Sequence, residues 1–137
     1  MFQISENSVV GQYARQTRSS RALNISFWIL QGVLAAVFLV AGITKLASLQ
    51  VQVATFDEIG LGQWLRYSTG GLEVIGAILV LVPRTAGLAA ILLGMTMVGA
   101  VDVHLLITGG SPVAALVLLA MAIAVTWYQE LYLKRRK

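Results

Sequence analysis

Residues 27–45, FWILQGVLAAVFLVAGITK, run apolar from an opening aromatic pair to a closing lysine, with no ionisable group between them. A helix rises about 1.5 Å per residue and a bilayer's hydrocarbon core needs about 20 mainly apolar residues to cross it, so this stretch reads as a membrane span. Moving outward, the same reading applies to residues 64–82 (WLRYSTGGLEVIGAILVLV), 85–108 and 112–132. The expected fold is all-α, an integral membrane four-helix antiparallel bundle with N and C termini cytoplasmic.

The punctuation between spans supports this division. A polar connection of eighteen residues, LASLQVQVATFDEIGLGQ, follows the first span, and Gly60 and Gly62 in it mark a turn. The second span stops at Pro83-Arg84, where proline cannot continue the helical hydrogen-bond ladder, which makes the second and third spans antiparallel neighbours. Gly109-Gly110 end the third, and Ser111 as N-cap with Pro112 at the first helical position starts the fourth. Residues 1–26 are expected to form a mobile cytoplasmic segment with a short surface helix near Tyr13–Arg21. Residues 27–132 form the bundle, and 133–137 a basic cytoplasmic tail. Neither an apolar h-region nor a small-residue cleavage site precedes the first span, so no cleaved signal peptide is expected.

Composition agrees: of 137 residues 58% are hydrophobic and 12% charged, with mean hydropathy +0.81, more than a soluble domain of this size could place in one core. The chain has no cysteine, which excludes disulfides, thiolate nucleophiles and iron–sulfur ligation, and its single histidine, His104, excludes a bis-histidine haem within one chain. Any redox role must borrow its electron carrier. The formal charge of +4 gathers at the span edges and reads as topology, not nucleic-acid binding. Of the ten Lys and Arg, Arg15, Arg18, Arg21, Arg84, Lys134, Arg135, Arg136 and Lys137 fall on one side, against Lys45 and Arg66 on the other. The positive-inside rule then places both termini in the cytoplasm and the chain in the cytoplasmic (inner) membrane. Trp28, Trp127, Tyr128 and Tyr132 fall at the inner interface and Trp64 at the outer one.

Ionisable groups inside spans cost about 2.5–3.5 kcal/mol each on insertion scales, so each needs a partner or a wet cavity. Lys45, Arg66, Glu73, Asp102 and His104 are such groups, and they form the candidate ligand or proton site. Glu73 lies about 13 Å below Trp64 and Asp102 about 9 Å below Thr108, so the cluster belongs to the outer half of the membrane, leaving the inner half as plain hydrocarbon packing. Arg66, Gly70, Glu73 and Ala77 share one helical face, as do Gln31, Ala35, Phe38, Gly42 and Lys45, and both stripes are expected to face the interior. Ala86, Ala90 and Gly94 recur at four-residue spacing, which lets helices approach closely. Asp102 and His104 are about 200° apart on a helix; Asp102 aligns with Met95 and Gly99, His104 with Met97, and Asp102 is expected to face inward. Lys45 and Arg66, near helix ends, are expected to snorkel toward the outer headgroups. A structural reading stands beside the functional one: the same charges can be an ion-pair network that fixes helix register. No HxxxH or ExxH spacing exists, so no metal site is expected.

Ala41-Gly42-Ile43-Thr44-Lys45-Leu46, Trp64-Leu65-Arg66-Tyr67 leading to Gly70-Gly71-Leu72-Glu73, Leu81-Val82-Pro83-Arg84, and Met95-Thr96-Met97-Val98-Gly99-Ala100 leading to Asp102 and His104 together resemble the DoxX and DoxX-like membrane proteins, over about residues 25–128. Gly62-Gln63 stands where members often carry proline. The resemblance implies a four-helix membrane bundle associated with redox or thiol-stress complexes, the family taking its name from a subunit of a thiosulfate:quinone oxidoreductase. Lys45, Arg66 and Glu73 match its charged pattern, and no catalytic role comes with them.

The leading expectation is a membrane subunit of a quinone-linked redox assembly, with a redox partner protein and no covalent or metal-ligated cofactor of its own. A quinone head needs hydrogen-bond donors and a proton relay, which Lys45, Arg66, Glu73 and Asp102 would supply beside an apolar cleft for the tail. The alternatives are a binding or transport module for a small anion or proton, which four helices support only as a homo-oligomer, and a membrane anchor docking a soluble enzyme through the terminal KRRK or the N-terminal segment.

Overall fold

The computed structural model describes residues 2–135 and is helical almost throughout. Five α-helices follow one another: α1 (Phe2–Leu46), α2 (Gln50–Ile59), α3 (Gln63–Val80), α4 (Ala86–Val103), a π-helical turn at His104–Thr108, and α5 (Val113–Arg135). The helix α1 packs on α3 and α5, α3 on α4, and α4 on α5, which closes a ring of four, while α2 lies across one end against α3 and the π-helical turn. Phe38, Leu34, Leu93, Val80 and Val125 fill the middle of the ring.

Three stretches are long and apolar enough to cross a membrane: Glu6–Leu46, Ala86–Thr108 and Val113–Arg135. The expectation of four spans is met for these three. The eighteen-residue α3 is interrupted by Gln63, Arg66 and Glu73 and falls short on hydropathy. Outward surfaces of the ring are apolar, with Leu88, Met95, Leu106 and Ile123 all exposed, as a lipid-facing surface requires.

The N-terminal segment departs from expectation. Residues 2–26 are not set apart from the bundle by a loop; they continue α1 as one helix of 45 residues, about 68 Å long. Nucleation is the costly step in helix formation, so a helix already held by the bundle extends wherever nothing breaks it. No proline lies before residue 83, and Gly11 is the only glycine in this stretch. Residues 6–26 are exposed throughout, so this arm projects from the ring. Of the basic tail, Arg136 and Lys137 lie outside the described residues, as does Met1.

The connections follow the sequence signals closely. Gly60 and Gly62 take φ of +77° and +91°, a region open to glycine, and the polar connection they end contains the ten-residue helix α2. Ser111 Oγ accepts a 3.4 Å bond from the Val113 amide at the start of α5. The turn after α3 leaves carbonyls without helical partners, as every helix C-terminus does. Leu81 and Val82 amides close onto Ile78 and Leu79, and Thr85 Oγ1 donates to the Leu79 carbonyl. The Val80 carbonyl takes a bond from Gln31 Nε2 of α1, and the Pro83 carbonyl one from Gln129 Nε2 of α5.

That pair of buried glutamines corrects the expectation of plain hydrocarbon packing at this end: Gln31 is 2% and Gln129 5% exposed. Gln31→Leu strands the Val80 carbonyl and lowers stability by about 1–3 kcal/mol, the cost of an enclosed acceptor without a donor. Thermal unfolding in detergent micelles measures this, and a loss below about 0.5 kcal/mol would show that water substitutes for the amide.

Candidate functional site

At the end covered by α2, helices α1 and α3 meet through two glycines. A Cβ on Gly42 would stand 2.7 Å from both the Gly70 carbonyl oxygen and a Val74 methyl, and one on Gly70 would stand 3.0 Å from Lys45 Cβ. One turn beyond each glycine comes a charge: Lys45 on α1 and Glu73 on α3. Lys45 Nζ donates to both carboxylate oxygens of Glu73, at 2.7 and 3.0 Å. Glu73 is 2% exposed and the lysine side chain 15%, so the pair opens to its surroundings through the lysine. Both inward stripes read from the sequence are found: Gln31, Ala35, Phe38 and Gly42 are buried on α1, and Arg66, Gly70, Glu73 and Ala77 on α3.

Arg66 does not snorkel. It is 2% exposed, and its Nη1 donates to the Lys45 carbonyl in the last turn of α1. A helix C-terminus carries partial negative charge and unpartnered carbonyls, so a guanidinium there answers both. Its Nε donates to Gln63 Oε1 at 2.5 Å, and its carbon stands 4.2 Å from the Tyr67 ring centroid, a cation–π contact. Gln63 in turn donates to Asp57 Oδ1 at 2.6 Å and to the Val53 carbonyl at 3.1 Å, which ties α2 to the cluster. Ser48 Oγ and Tyr67 Oη are 3.3 Å apart at its edge. Gln63, Asp57 and Tyr67 are not among the site residues expected from the sequence, although Gln63 lies three residues before Arg66 and hence on its face.

Asp102 and His104 are elsewhere. Asp102 is exposed on the outward face of α4 with Met95, and it joins no ion pair with Lys45 or Arg66 among the described residues. The facial alignments held while the choice between them reversed: His104 lies on the side of buried Met97, half-buried, with Nδ1 3.4 Å from Thr108 Oγ1. Among the described residues no group of three or more His, Asp and Glu stands ready to hold a metal ion.

The charged cluster is tightly packed, and a wider concavity lies apart from it. A groove of about 370 Å³ runs between α4 and α5, walled by Ala90, Gly94, Leu119 and Ala122 and ending at Trp127 and Glu130. Its existence follows from small residues: Ala90 and Gly94 leave no side chains long enough to fill it.

Comparison with known proteins gives a family match. The model of the DoxX-like family matches residues 29–127. A protein of Bacillus subtilis (strain 168) named "Putative oxidoreductase CatD" is 24% identical over 82 residues, covering 60% of this chain and 61% of that protein. The chain therefore spans about three fifths of that relative's length. No solved structure matches.

Proposed function

The chain belongs to the DoxX-like family, and on that premise we propose that it is a four-span subunit of a quinone-linked redox assembly in the cytoplasmic membrane, with both termini cytoplasmic. Family and apolar helices together point to a membrane protein. The fourth span is α3: its interrupting charges are turned inward, Arg66 and Glu73 both 2% exposed, so its lipid-facing side is apolar even though its average is not. The basic residues around the exposed N-terminal arm, Arg84 and the α5 end support the orientation.

The likeness to a relative named as an oxidoreductase carries the redox reading. With no thiol and one histidine, electrons must pass through a carrier that the chain borrows. A quinone suits a membrane bundle with an apolar slot for its tail, and the α4–α5 groove falls in the volume range of ligand sites, about 300–1,000 Å³. On this proposal the slot lies apart from Glu73, around which the sequence alone leads one to expect it. Purification followed by lipid extraction and quinone analysis tests the proposal: about one quinone per chain is expected, reduced by replacing Gly94 with leucine. No retained quinone, and no effect of added quinone on the protein's unfolding, would sink it.

A second reading is favoured by the geometry of the cluster. Both Glu73 oxygens are taken by Lys45, and Arg66 is spent on a carbonyl and a side-chain amide. On that reading the charges clamp α1 to α3 and do no chemistry.

A further inference from the structure

At the end of the ring that carries both chain termini, Phe27, Trp28 and Gln31 of α1 face Tyr128 and Gln129 of α5 beside Pro83, across a cleft of about 80 Å³. No residue lining it is charged. Phe27 stacks on Tyr128 with centroids 3.9 Å apart and planes at 19°. Gln31 and Gln129 are both more than nine-tenths buried, and each has its Nε2 committed to a backbone carbonyl.

Those commitments fix the direction of the amides. A flipped glutamine would set two oxygens against one another, so each Oε1 must turn away from its carbonyl. Among the described residues every fully enclosed side-chain nitrogen or oxygen has a partner. Among the described residues no donor is found for either amide oxygen, so neither oxygen is fully enclosed, and the side chains that carry them line the cleft. The cleft thus presents acceptor oxygens and aromatic faces with no cation among its lining residues, beside the donor groups of Asn24, Trp28, Tyr128 and Tyr132. Amide oxygens want N–H donors, and ring faces attract positive charge. A water molecule's share of liquid is about 30 Å³, so the space holds a group of two or three heavy atoms.

We infer that this cleft binds a primary ammonium group, carried either by the ethanolamine headgroup of a phospholipid or by a small free amine. Trimethylammonium has no N–H to give the two oxygens and is too bulky for the space. For the lipid source, the neighbouring sequence supplies the phosphate's partners: Arg84 directly follows Pro83, and Arg21 precedes Asn24, which also lines the cleft, by one helical turn. Only this source rests on the membrane reading.

The test uses the full chain in nanodiscs of equimolar ethanolamine, choline and glycerol phospholipids with identical acyl chains, released for native mass spectrometry. Ethanolamine lipid is expected on the protein at about tenfold enrichment over the other two, equivalent to about 1.4 kcal/mol. Trp28→Leu, at an exposed position that should not disturb folding, and Gln129→Met should each cut the enrichment severalfold with helical circular dichroism unchanged. A second arm adds ethanolammonium chloride to choline-lipid nanodiscs and reads saturation-transfer NMR. Signals there that vanish in Trp28→Leu, without lipid enrichment, assign the site to free amines, whereas enrichment without such signals assigns it to the lipid. Equal retention of all three lipids with no amine signal overturns the inference, as does a preference that survives both substitutions.

Discussion

Glu73→Leu lowers the stability of the bundle by about 3 kcal/mol, and adding Lys45→Met to it restores most of the loss. Removing one member of a buried ion pair leaves the other charge without its partner, which costs about 3–5 kcal/mol, while replacing both with apolar side chains of similar volume is often neutral or stabilising. The value lies at the low end of that range here because Lys45 is 15% exposed and can swing its ammonium toward the edge once the carboxylate is gone. Arg66 does not rescue the stranded lysine, being a cation whose own donors are held by Gln63 and the α1 terminus. Denaturant titration of single and double variants in mixed micelles measures the coupling as a double-mutant cycle. A double variant as unstable as Glu73→Leu would show that the pair is not what those residues contribute. If the double variant regains stability yet loses turnover in the partner assembly, the pair acts in the chemistry; if turnover survives, it is a clamp.

How far the site was readable from sequence depends on which physical signal carried each residue. The interior stripes on α1 and α3 were legible because 3.6-residue periodicity is a local property, and every residue named in them is inward or beside the interior. The turns were legible because Gly60, Gly62 and Pro83 act through their own backbone chemistry. Asp102 was misplaced for a different reason. It does align with Met95, but near the helix end a carboxylate need not turn inward, because an exposed side chain there can reach the headgroup region. The π-helical turn at His104–Thr108 has no sequence signature and alters the register just beyond Asp102. Gln129 was hidden by its company in an apolar stretch, and Gln31, legible as inward-facing, gave no sign of its partner, because the carbonyls the two amides meet lie 46 and 49 residues away in the chain. The length of α1 was missed because hydropathy marks where lipid ends, not where a helix does.

Gly42→Leu should be the most damaging single change in the cluster, costing about 3 kcal/mol or more. Overpacking a well-filled interior costs about 1–3 kcal/mol when neighbours can move aside, and more when they cannot. Here the first new carbon alone meets a backbone oxygen, that of Gly70, at 2.7 Å, and backbone within a helix does not rotate out of the way as a side chain would. Even Gly42→Ala must therefore separate α1 from α3, though by less. Gly71→Ala is the matched control: it lies next to Gly70 on the same helix, nothing stands within 4 Å of its Cβ, and alanine's helix propensity favours it by up to about 1 kcal/mol. The consequence reaches the ion pair, because Lys45 and Glu73 sit one turn beyond Gly42 and Gly70, and their 2.7 Å contact depends on how closely those glycines let the backbones approach. Gly42→Leu should then free Lys45 as well as destabilise the fold, and amine-directed labelling followed by peptide mass mapping should find Lys45 more reactive than in the parent or in Gly71→Ala. Loss of stability with Lys45 labelling unchanged would mean that the helices part elsewhere and that the ion pair, not the glycine contact, holds this end of the bundle together.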